Sequence, residues 1–328
     1  MKSTPPSVSV IMPCYNEEKY IAQSLESLLD DYCLKNCEVI VVDGMSEDGT
    51  QDIINSLIKK GLPIRLFRNE KKLQVHGLNL ALSKAKGEVI VRADAHCLYP
   101  PGYIKKCLDL LMTVDVSNVG GVMKPQGEET VQKAIALALK HPVGVGDAKW
   151  HLGNYSGYVD TVYLGTFRKG LFKDIGLYDL KSSANEDAEL NLRILKAGGK
   201  VYLDSSIEVI YFPRESLKEL AIQYFRYGRG RCYTTLKHRK ITSFRQIAPV
   251  LLVLALFFSF VLSFFQPLIL FIPFSYLGVV FLTALLSWPK QTIPFKQRIL
   301  TGLAFLIMHT CWGVGFLSRL IFRKEVDR

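Results

Sequence analysis

Gly87-Glu-Val-Ile-Val-Arg92, followed by Ala93-Asp94-Ala95-His96, decides how this chain is read. Val89 to Val91 has the composition of a short buried strand, and it stops on Asp-x-His. That arrangement carries two hard metal ligands to the carboxyl end of a strand, the edge where open α/β sheets bind their ligands. Asp94 and His96 together suit a divalent ion that holds a diphosphate. Taken singly, an Asp after a strand also reads as a turn residue or a helix cap. The pattern recurs, however: Glu38 to Val42 ends in Asp43, and a third acidic site follows at Glu186-Asp187.

Outward from this stretch, strand-like and helix-like patterns alternate. Val8–Met12, Val39–Val42, Ile64–Phe67, Val89–Val91 and Val119–Val122 read as strands, and the segments 17–29, 49–60, 74–86 and 102–112 as helices. Repeated β-α units imply an α/β fold with a mostly parallel, doubly wound, Rossmann-like sheet. Farther on, Asn185 to Ala197 reads as a helix with Asn185 as its N-cap, Glu186 and Asp187 at its positive end and Gly198-Gly199 after it. Val201–Leu203 and Ile207–Tyr211 read as short strands, and Leu217 to Arg226 as an amphipathic helix. The glycines 144, 146, 153, 157 and 165 mark loops.

The 328 residues suffice for one large domain and an appendage. The 44 residues between Arg245 and Lys290 contain no Asp, Glu, Lys or Arg, and the 20 from Ile299 to Ser318 contain none either. A bilayer core needs about 20 apolar helical residues, so the candidate spans are 246–265, 268–288 and 299–318, with Pro267 and Pro273 breaking the first run. Nine Lys/Arg between residues 212 and 245 read as a cytoplasmic flank drawn to anionic lipid. Lys290, Lys296, Arg298, Arg319, Arg323, Lys324 and Arg328 favour the same side, so one of the three segments is expected to be re-entrant or interfacial. The net charge of +11 is therefore assigned to a membrane surface and not to nucleic acid. Residues 1–7 do not resemble a signal peptide, so the N-terminal part is expected in the cytoplasm. Seven scattered cysteines without a Cys-x-x-Cys pair are expected to be reduced thiols.

The chain has no Walker motif, and Gly144-Val-Gly146 lacks the third glycine of a dinucleotide fingerprint. Asp43 precedes the polar loop Gly44-Met-Ser-Glu-Asp-Gly-Thr50, which can wrap a base or ribose or be an ordinary βα loop with Asp48 as cap. Asp187 can act as a general base, and Glu186 beside it would raise one of the two pKa values; helix-start acidity is the plain alternative. Arg226 can pair bidentately with phosphate and Tyr227 can stack on a sugar or base, or the segment is simply a basic flank.

With these residues in this order, the chain resembles the inverting family 2 glycosyltransferases with the GT-A fold. The resemblance runs over Val8–Glu18, Val41–Thr50, Gly87–Pro100, Asn185–Arg193 and Gln223–Arg231, within about residues 1–235. Asp94-Ala-His96, Tyr158-Val-Asp-Thr-Val-Tyr-Leu-Gly165 and Gln223-Tyr-Phe-Arg-Tyr-Gly228 look most like the membrane-linked glucosyltransferases of succinoglycan-type exopolysaccharide synthesis. The resemblance implies a GT-A catalytic domain over 1–235 and a membrane region over 236–328. Pro13, Tyr15, Glu17, Asp43 and Asp94 would contact the donor nucleotide. Asp94 and His96 would hold Mg²⁺ or Mn²⁺. Asp187 would be the catalytic base, with Glu186, Gln223, Arg226 and Tyr227 on the acceptor side. Tyr227 stands where processive synthases carry Trp after Gln-x-x-Arg, which favours single additions; His96 stands where many relatives carry Asp.

The implied partners are a nucleotide-diphosphate sugar (UDP-glucose fits the resemblance), a lipid-linked saccharide acceptor, membrane lipids and other polysaccharide-assembly proteins. The expected location is the plasma membrane, multi-pass, with the catalytic domain cytoplasmic. Two alternatives stand beside this reading: transfer to a polyprenyl phosphate, whose oxygen needs no deprotonation, and an inactive scaffold that binds nucleotide sugar.

Overall fold

The computed structural model describes residues 7–182, 184–241, 243–289 and 292–322; Lys290, Arg323, Lys324 and Arg328 lie outside the described residues. The chain forms two compact units, Met1–Lys124 with Gly153–Tyr211, and Pro125–Leu152 with Phe212–Arg328.

The first unit is built on a nine-stranded sheet. Its strands are β1 (Val8–Cys14), β2 (Cys37–Asp43), β3 (Ile64–Arg68), β4 (Val89–Arg92), β5 (Cys97–Leu98), β6 (Asn118–Pro125), β7 (Gly157–Val159), β8 (Tyr163–Arg168) and β9 (Val201–Tyr211). Their order is β3-β2-β1-β4-β8-β6-β9-β5, with β7 paired to β9. β1 runs parallel to β2 and β4, and β2 parallel to β3. Val10, Ile11, Val39, Ile40, Val41, Ile90 and Val91 are fully buried. Strands covered on both faces carry unbroken apolar runs, which is why this half is legible in the sequence.

Beyond β4 the sheet is mixed. β8 lies antiparallel between β4 and β6, so Val119–Val122 belongs to a strand that does not touch β4. Gly157 and Gly165, expected in loops, lie inside β7 and β8. The two short strands expected at 201–203 and 207–211 are one continuous strand, β9.

The expected helices appear at Ile21–Leu28, Thr50–Lys59, Gln74–Lys84, Tyr103–Thr113 and Glu186–Lys196. The first starts at Ile21 and not at Glu17; a turn precedes it, in which the Glu17 carbonyl accepts from Tyr20 N at 3.0 Å and Ile21 N at 2.8 Å. A further short helix, Asp31–Asn36, is capped by Asp30, which accepts from Cys33 N at 2.9 Å.

Glu38 ties the parallel strands together. It accepts from Ser9 Oγ at 2.7 Å, Arg65 Nη1 at 2.6 Å and Lys86 N at 2.6 Å. Burial by itself would raise this carboxyl; the hydrogen bonds from Ser9, Lys86 and Arg65 outweigh it and hold the pKa below its ordinary 4.5. A depressed folded-state pKa contributes stability that is present above pH 4.5 and is lost as pH falls through the folded value. Glu38→Gln is expected to lower stability at neutral pH by about 1 kcal/mol and to flatten the acid limb of a Tm-against-pH curve; an unchanged acid limb would remove Glu38 from this role.

In the second unit, the helix Leu217–His238 opens with a capping box of Ser216 and Glu219 and runs 22 residues, well past the expected end at Arg226. It packs on Phe295–Phe322 with the backbones in contact. A Cβ on Gly228 would lie 2.0 Å from Trp312 O, and one on Gly315 would lie 2.1 Å from Phe225 O. Gly228→Val is therefore expected to cost about 1–3 kcal/mol or more, read as a drop in Tm of the detergent-solubilised full chain.

Among the described residues, two helical stretches, Pro267–Leu286 and Phe295–Phe322, are long and apolar enough to cross a membrane. The segment expected to span over 246–265 is instead the 15-residue helix Ala248–Leu262, roughly 22 Å long at 1.5 Å per residue. Arg298, expected as a cytoplasmic flank, is 5% exposed. Its guanidinium donates to the carbonyls of Ile293 at 3.1 Å, Pro289 at 2.6 Å and Leu285, tying down the turn before its own helix. Arg245 pairs with Asp147 at 2.9 Å.

Candidate active site

The carboxyl ends of β1, β2 and β4 share one edge: Cys14 is level with Asp43, and Ile11 with Arg92. Pro13 and Asp43 lie in β1 and β2, the loops after β1 and β4 carry Tyr15, Glu17, Asp94 and His96, and Glu186 and Asp187 open the helix Glu186–Lys196.

The loops after β1 and β2 are stitched to each other. Asn16 N donates to Ser46 Oγ at 2.9 Å, Glu47 N to Asn16 Oδ1 at 2.9 Å, Glu17 N to Thr50 Oγ1 at 2.7 Å, and Gly49 N to Glu18 Oε2 at 2.6 Å. Asp48 accepts from Thr50 N at 3.0 Å and from Glu18 N at 3.2 Å, while Gly49 holds the N-cap position of the next helix. Asn16 and Met45 hold left-handed φ values of 53° and 63°, a conformation these side chains adopt at some energetic cost. Asp43 is fully buried. Its carboxylate accepts from Ser46 N at 3.0 Å and Gln51 Nε2 at 2.7 Å, and Cys14 Sγ lies 3.8 Å away. Asp43 thus shapes the loop that was expected to wrap the nucleotide. Pro13 sits in β1 opposite Val42. Tyr15 is 44% exposed, with Lys72 Nζ 6.0 Å from its ring centre.

The turn after β4 is locked through its main chain. Asp94 N donates to Tyr99 Oη at 2.7 Å, and Asp94 O accepts from Tyr99 Oη at 2.9 Å and Ser24 Oγ at 3.1 Å. These bonds leave the carboxylate to other work: Asp94 Oδ1 is buried with no hydrogen-bond partner among the described residues. His96 Nδ1 lies 2.9 Å from Glu17 Oε1. Glu17, expected at the nucleotide, thereby touches the Asp-x-His motif from 79 residues away.

Arg92 joins these carboxylates, although in the sequence it reads only as the end of a strand. It is 6% exposed. Its Nη2 lies 2.9 Å from Glu186 Oε1 and 3.6 Å from Asp94 Oδ1. Burial by itself would lower the guanidinium pKa, but the Glu186 and Asp94 carboxylates outweigh it and keep the group charged. Burial raises the pKa of Glu186; Arg92 opposes that and Asp187 adds to it. Asp187 is half-buried, and Ala188 N donates to its Oδ1 at 2.7 Å. The one signal in the sequence for Arg92 was a cation closing a four-residue strand that is otherwise apolar.

Asn185 holds the expected N-cap position, in a left-handed conformation with φ 58° and without a side-chain capping hydrogen bond. The helix Glu186–Lys196 is held from its far side. Asn118 Nδ2 donates to Asn191 Oδ1 at 2.7 Å, and Asn191 Nδ2 to Thr161 Oγ1 at 3.0 Å. Arg193 pairs with the buried Glu189 at 2.9 Å and donates to the carbonyls of Ile175, Gly176 and Leu177.

The remaining candidates lie in the second unit. Gln223 Nε2 donates to Tyr227 Oη at 3.0 Å across one helical turn, and Arg226 is exposed.

Among the described residues, no cluster of three or more His, Cys, Asp or Glu could hold a metal ion unaided. Asp94 and His96 still fit a divalent ion. Mg²⁺-type sites commonly use one or two protein ligands and complete their shell with substrate phosphates and water, and Asp94 offers a buried oxygen without a hydrogen bond.

A model of glycosyl transferase family 2 matches residues 9–176. The chain is 31% identical over 331 aligned positions to the succinoglycan biosynthesis protein ExoA of Rhizobium meliloti (strain 1021), covering 98% of both chains. It is 28% identical over 233 positions to the dolichyl N-acetyl-alpha-D-glucosaminyl phosphate 3-beta-D-2,3-diacetamido-2,3-dideoxy-beta-D-glucuronosyltransferase of Methanococcus voltae, covering 68% of this chain and 72% of that protein. In structure it is similar to a mannosyltransferase from Pyrobaculum calidifontis in complex with GDP-Man and Mn²⁺, with TM-score 0.61 and 18% identity over 98% of this chain and 89% of that one. It is also similar to S. aureus TarS 1-349 in complex with UDP-GlcNAc, with TM-score 0.51 and 17% identity over 98% and 93%. The mixed sheet, the carboxylates at its edge and these likenesses lead to one conclusion: the chain belongs to glycosyl transferase family 2, a glycosyltransferase with the GT-A fold.

Proposed function

We propose that the protein is a membrane-bound, inverting glycosyltransferase that moves one sugar from a UDP-sugar to a lipid-linked saccharide during assembly of an exopolysaccharide or cell-surface glycan. The observation that carries this reading is the meeting of Asp94 and Glu186-Asp187 through Arg92 at one sheet edge.

Asp187 takes the proton from an acceptor hydroxyl, whose oxygen attacks the anomeric carbon as the nucleoside diphosphate leaves from the opposite face. One base suffices for inversion; no second carboxylate nucleophile is required. Pro13, Tyr15 and the loop shaped by Asp43 would hold the base and ribose, and Asp94 would face the diphosphate. Asp94 and His96 would hold Mg²⁺ or Mn²⁺, which when bound supplies positive charge to the departing diphosphate. Glu17 accepts from His96 Nδ1 and so orients the ring. Gln223, Arg226 and Tyr227 are assigned to the acceptor, in a catalytic region over 1–235 that precedes a membrane region over 236–328.

The acceptor class is supported by the Methanococcus voltae relative, whose name describes a dolichyl-phosphate-linked sugar as the group it extends; the exopolysaccharide setting is supported by the succinoglycan biosynthesis relative. Membrane attachment is supported by the apolar surface of the second unit. Phe264, Phe265, Leu268 and Phe271 are 75%, 85%, 78% and 76% exposed, an apolar patch that water does not tolerate. The basic stretch from Arg214 to Arg245 precedes it in the chain, which supports a cytoplasmic catalytic part.

Nucleotide release by the detergent-purified full chain, from a panel of UDP-, GDP- and dTDP-sugars with Mn²⁺ or Mg²⁺ and a membrane-lipid extract, tests this reading. Release from one UDP-sugar, with a glycolipid product of inverted anomeric configuration, is expected. Retention of configuration would sink the mechanism. Nucleotide binding without turnover on a genuine lipid-linked acceptor would leave the inactive scaffold.

A further inference from the structure

We propose that Arg92 is a positioning residue shared by the two halves of the site, and that its charge opposes divalent-cation binding at Asp94 while it holds Glu186 beside Asp187. The inference rests on the assignment of Asp94 to the metal made above.

The geometry is asymmetric. Arg92 Nη2 is at hydrogen-bond distance from Glu186, 2.9 Å, but only at ion-pair distance from Asp94 Oδ1, 3.6 Å. Arg92 Nε and Nη1 are buried without hydrogen-bond partners among the described residues, and so is Asp94 Oδ1. A guanidinium has five donors in a rigid fork, and here the ion pairs to Glu186 and Asp94 both fall on one nitrogen, Nη2. Arg92 is therefore anchored by Glu186 and leans toward Asp94 without closing on it. A cation docking on Asp94 must share that carboxylate with a neighbouring positive charge in a site shielded from water, where Coulombic repulsion is weakly screened. The same charge keeps Glu186, at the head of the helix that carries Asp187, drawn toward β4. Loading the donor side and positioning the acceptor side thus use a single cation.

This arrangement predicts changes of opposite sign. Arg92→Met removes the opposing charge, so Mn²⁺ should bind more tightly, by about tenfold, even as kcat falls. Glu186→Gln removes the anchor, letting Arg92 close on Asp94, so Mn²⁺ should bind more weakly by a similar factor. Arg92→Lys keeps the charge and should return Mn²⁺ affinity toward that of the natural protein. In the double variant Arg92→Met/Glu186→Gln, the weakening caused by Glu186→Gln should disappear, because nothing remains to close on Asp94. A purely structural role would weaken binding in every variant.

The readout is free Mn²⁺ by electron paramagnetic resonance, titrated into the detergent-purified full chain alone and with UDP, without turnover; Asp94→Asn serves as the control. Tighter binding in Arg92→Met with weaker binding in Glu186→Gln is the expected result. Shifts of the same sign in both, or no shift in either, overturn the proposal while Asp94→Asn still abolishes binding. If Mn²⁺ binds Asp94→Asn as it does the natural protein, the metal assignment fails and takes the proposal with it. Should Arg92→Met not fold, Glu186→Gln decides alone: weaker binding supports the shared cation, and unchanged or tighter binding overturns it.

Discussion

Replacing Asp187 by Asn is expected to lower kcat for sugar transfer by about 10²–10⁴-fold, the usual contribution of a positioned general base, equivalent to roughly 3–5 kcal/mol of barrier. Donor binding should be nearly unchanged. The change is isosteric, and Ala188 N can still donate to the remaining side-chain oxygen, as it does to Oδ1 at 2.7 Å now. The helix itself is held elsewhere, by Asn191 on Asn118 and Thr161 and by Arg193 on the loop Ile175–Leu177. A fall in kcat with a steady donor KM is therefore interpretable as lost chemistry. Steady-state kinetics with the identified donor and lipid-linked acceptor provide the measurement. Transfer that survives Asp187→Asn would assign the acceptor to the phosphate class, which needs no base, or place the base elsewhere.

The second large effect is expected at Asp94. Asp94→Ala should abolish the dependence of turnover on Mn²⁺ or Mg²⁺ and reduce kcat/KM by at least about 10²-fold, because charge stabilisation by a bound divalent ion amounts to several kcal/mol. The turn should survive. Its main chain is bonded to Tyr99 and Ser24, and none of those bonds uses the carboxylate. The variant does remove one of the two carboxylates facing Arg92, leaving Glu186 as its ion-pair partner. Metal-titrated turnover together with circular dichroism distinguishes the outcomes: a folded protein with full metal-dependent activity would assign the ion to other ligands.

Much of the candidate site is legible as a pattern because its signals are local. Asp43 and Asp94 each follow an apolar run, and Glu186-Asp187 opens a helix with clear periodicity. What was missed came from contacts between distant segments. Arg92 looks like the polar end of a strand until Glu186, ninety-odd positions later, is brought to its Nη2. The contact between Glu17 and His96, 79 positions apart, likewise has no signal in the sequence. Asn118 and Asn191 carry no pattern in the sequence, yet they fasten the helix of Asp187 to the sheet. Arg298 reads as a membrane flank, and its burial against the turn before it becomes visible only once the helices are packed.

Short-range patterning alone marks the parallel core, the helices that cover it, the acidic residues at its carboxyl edge and the apolar C-terminal quarter. Each follows from short-range rules: strands covered on both faces must be apolar throughout, amphipathic helices must repeat near 3.6 residues, and an uncharged run tens of residues long does not suit a water-exposed surface. That β8 separates β4 from β6, that the sheet is mixed beyond β4, and that Arg92 stands between Asp94 and Glu186 are settled by packing between distant segments. Strand partners and buried ion pairs are chosen by which distant segments can bury surface and satisfy charge together, and one residue's neighbours along the chain carry no record of that choice.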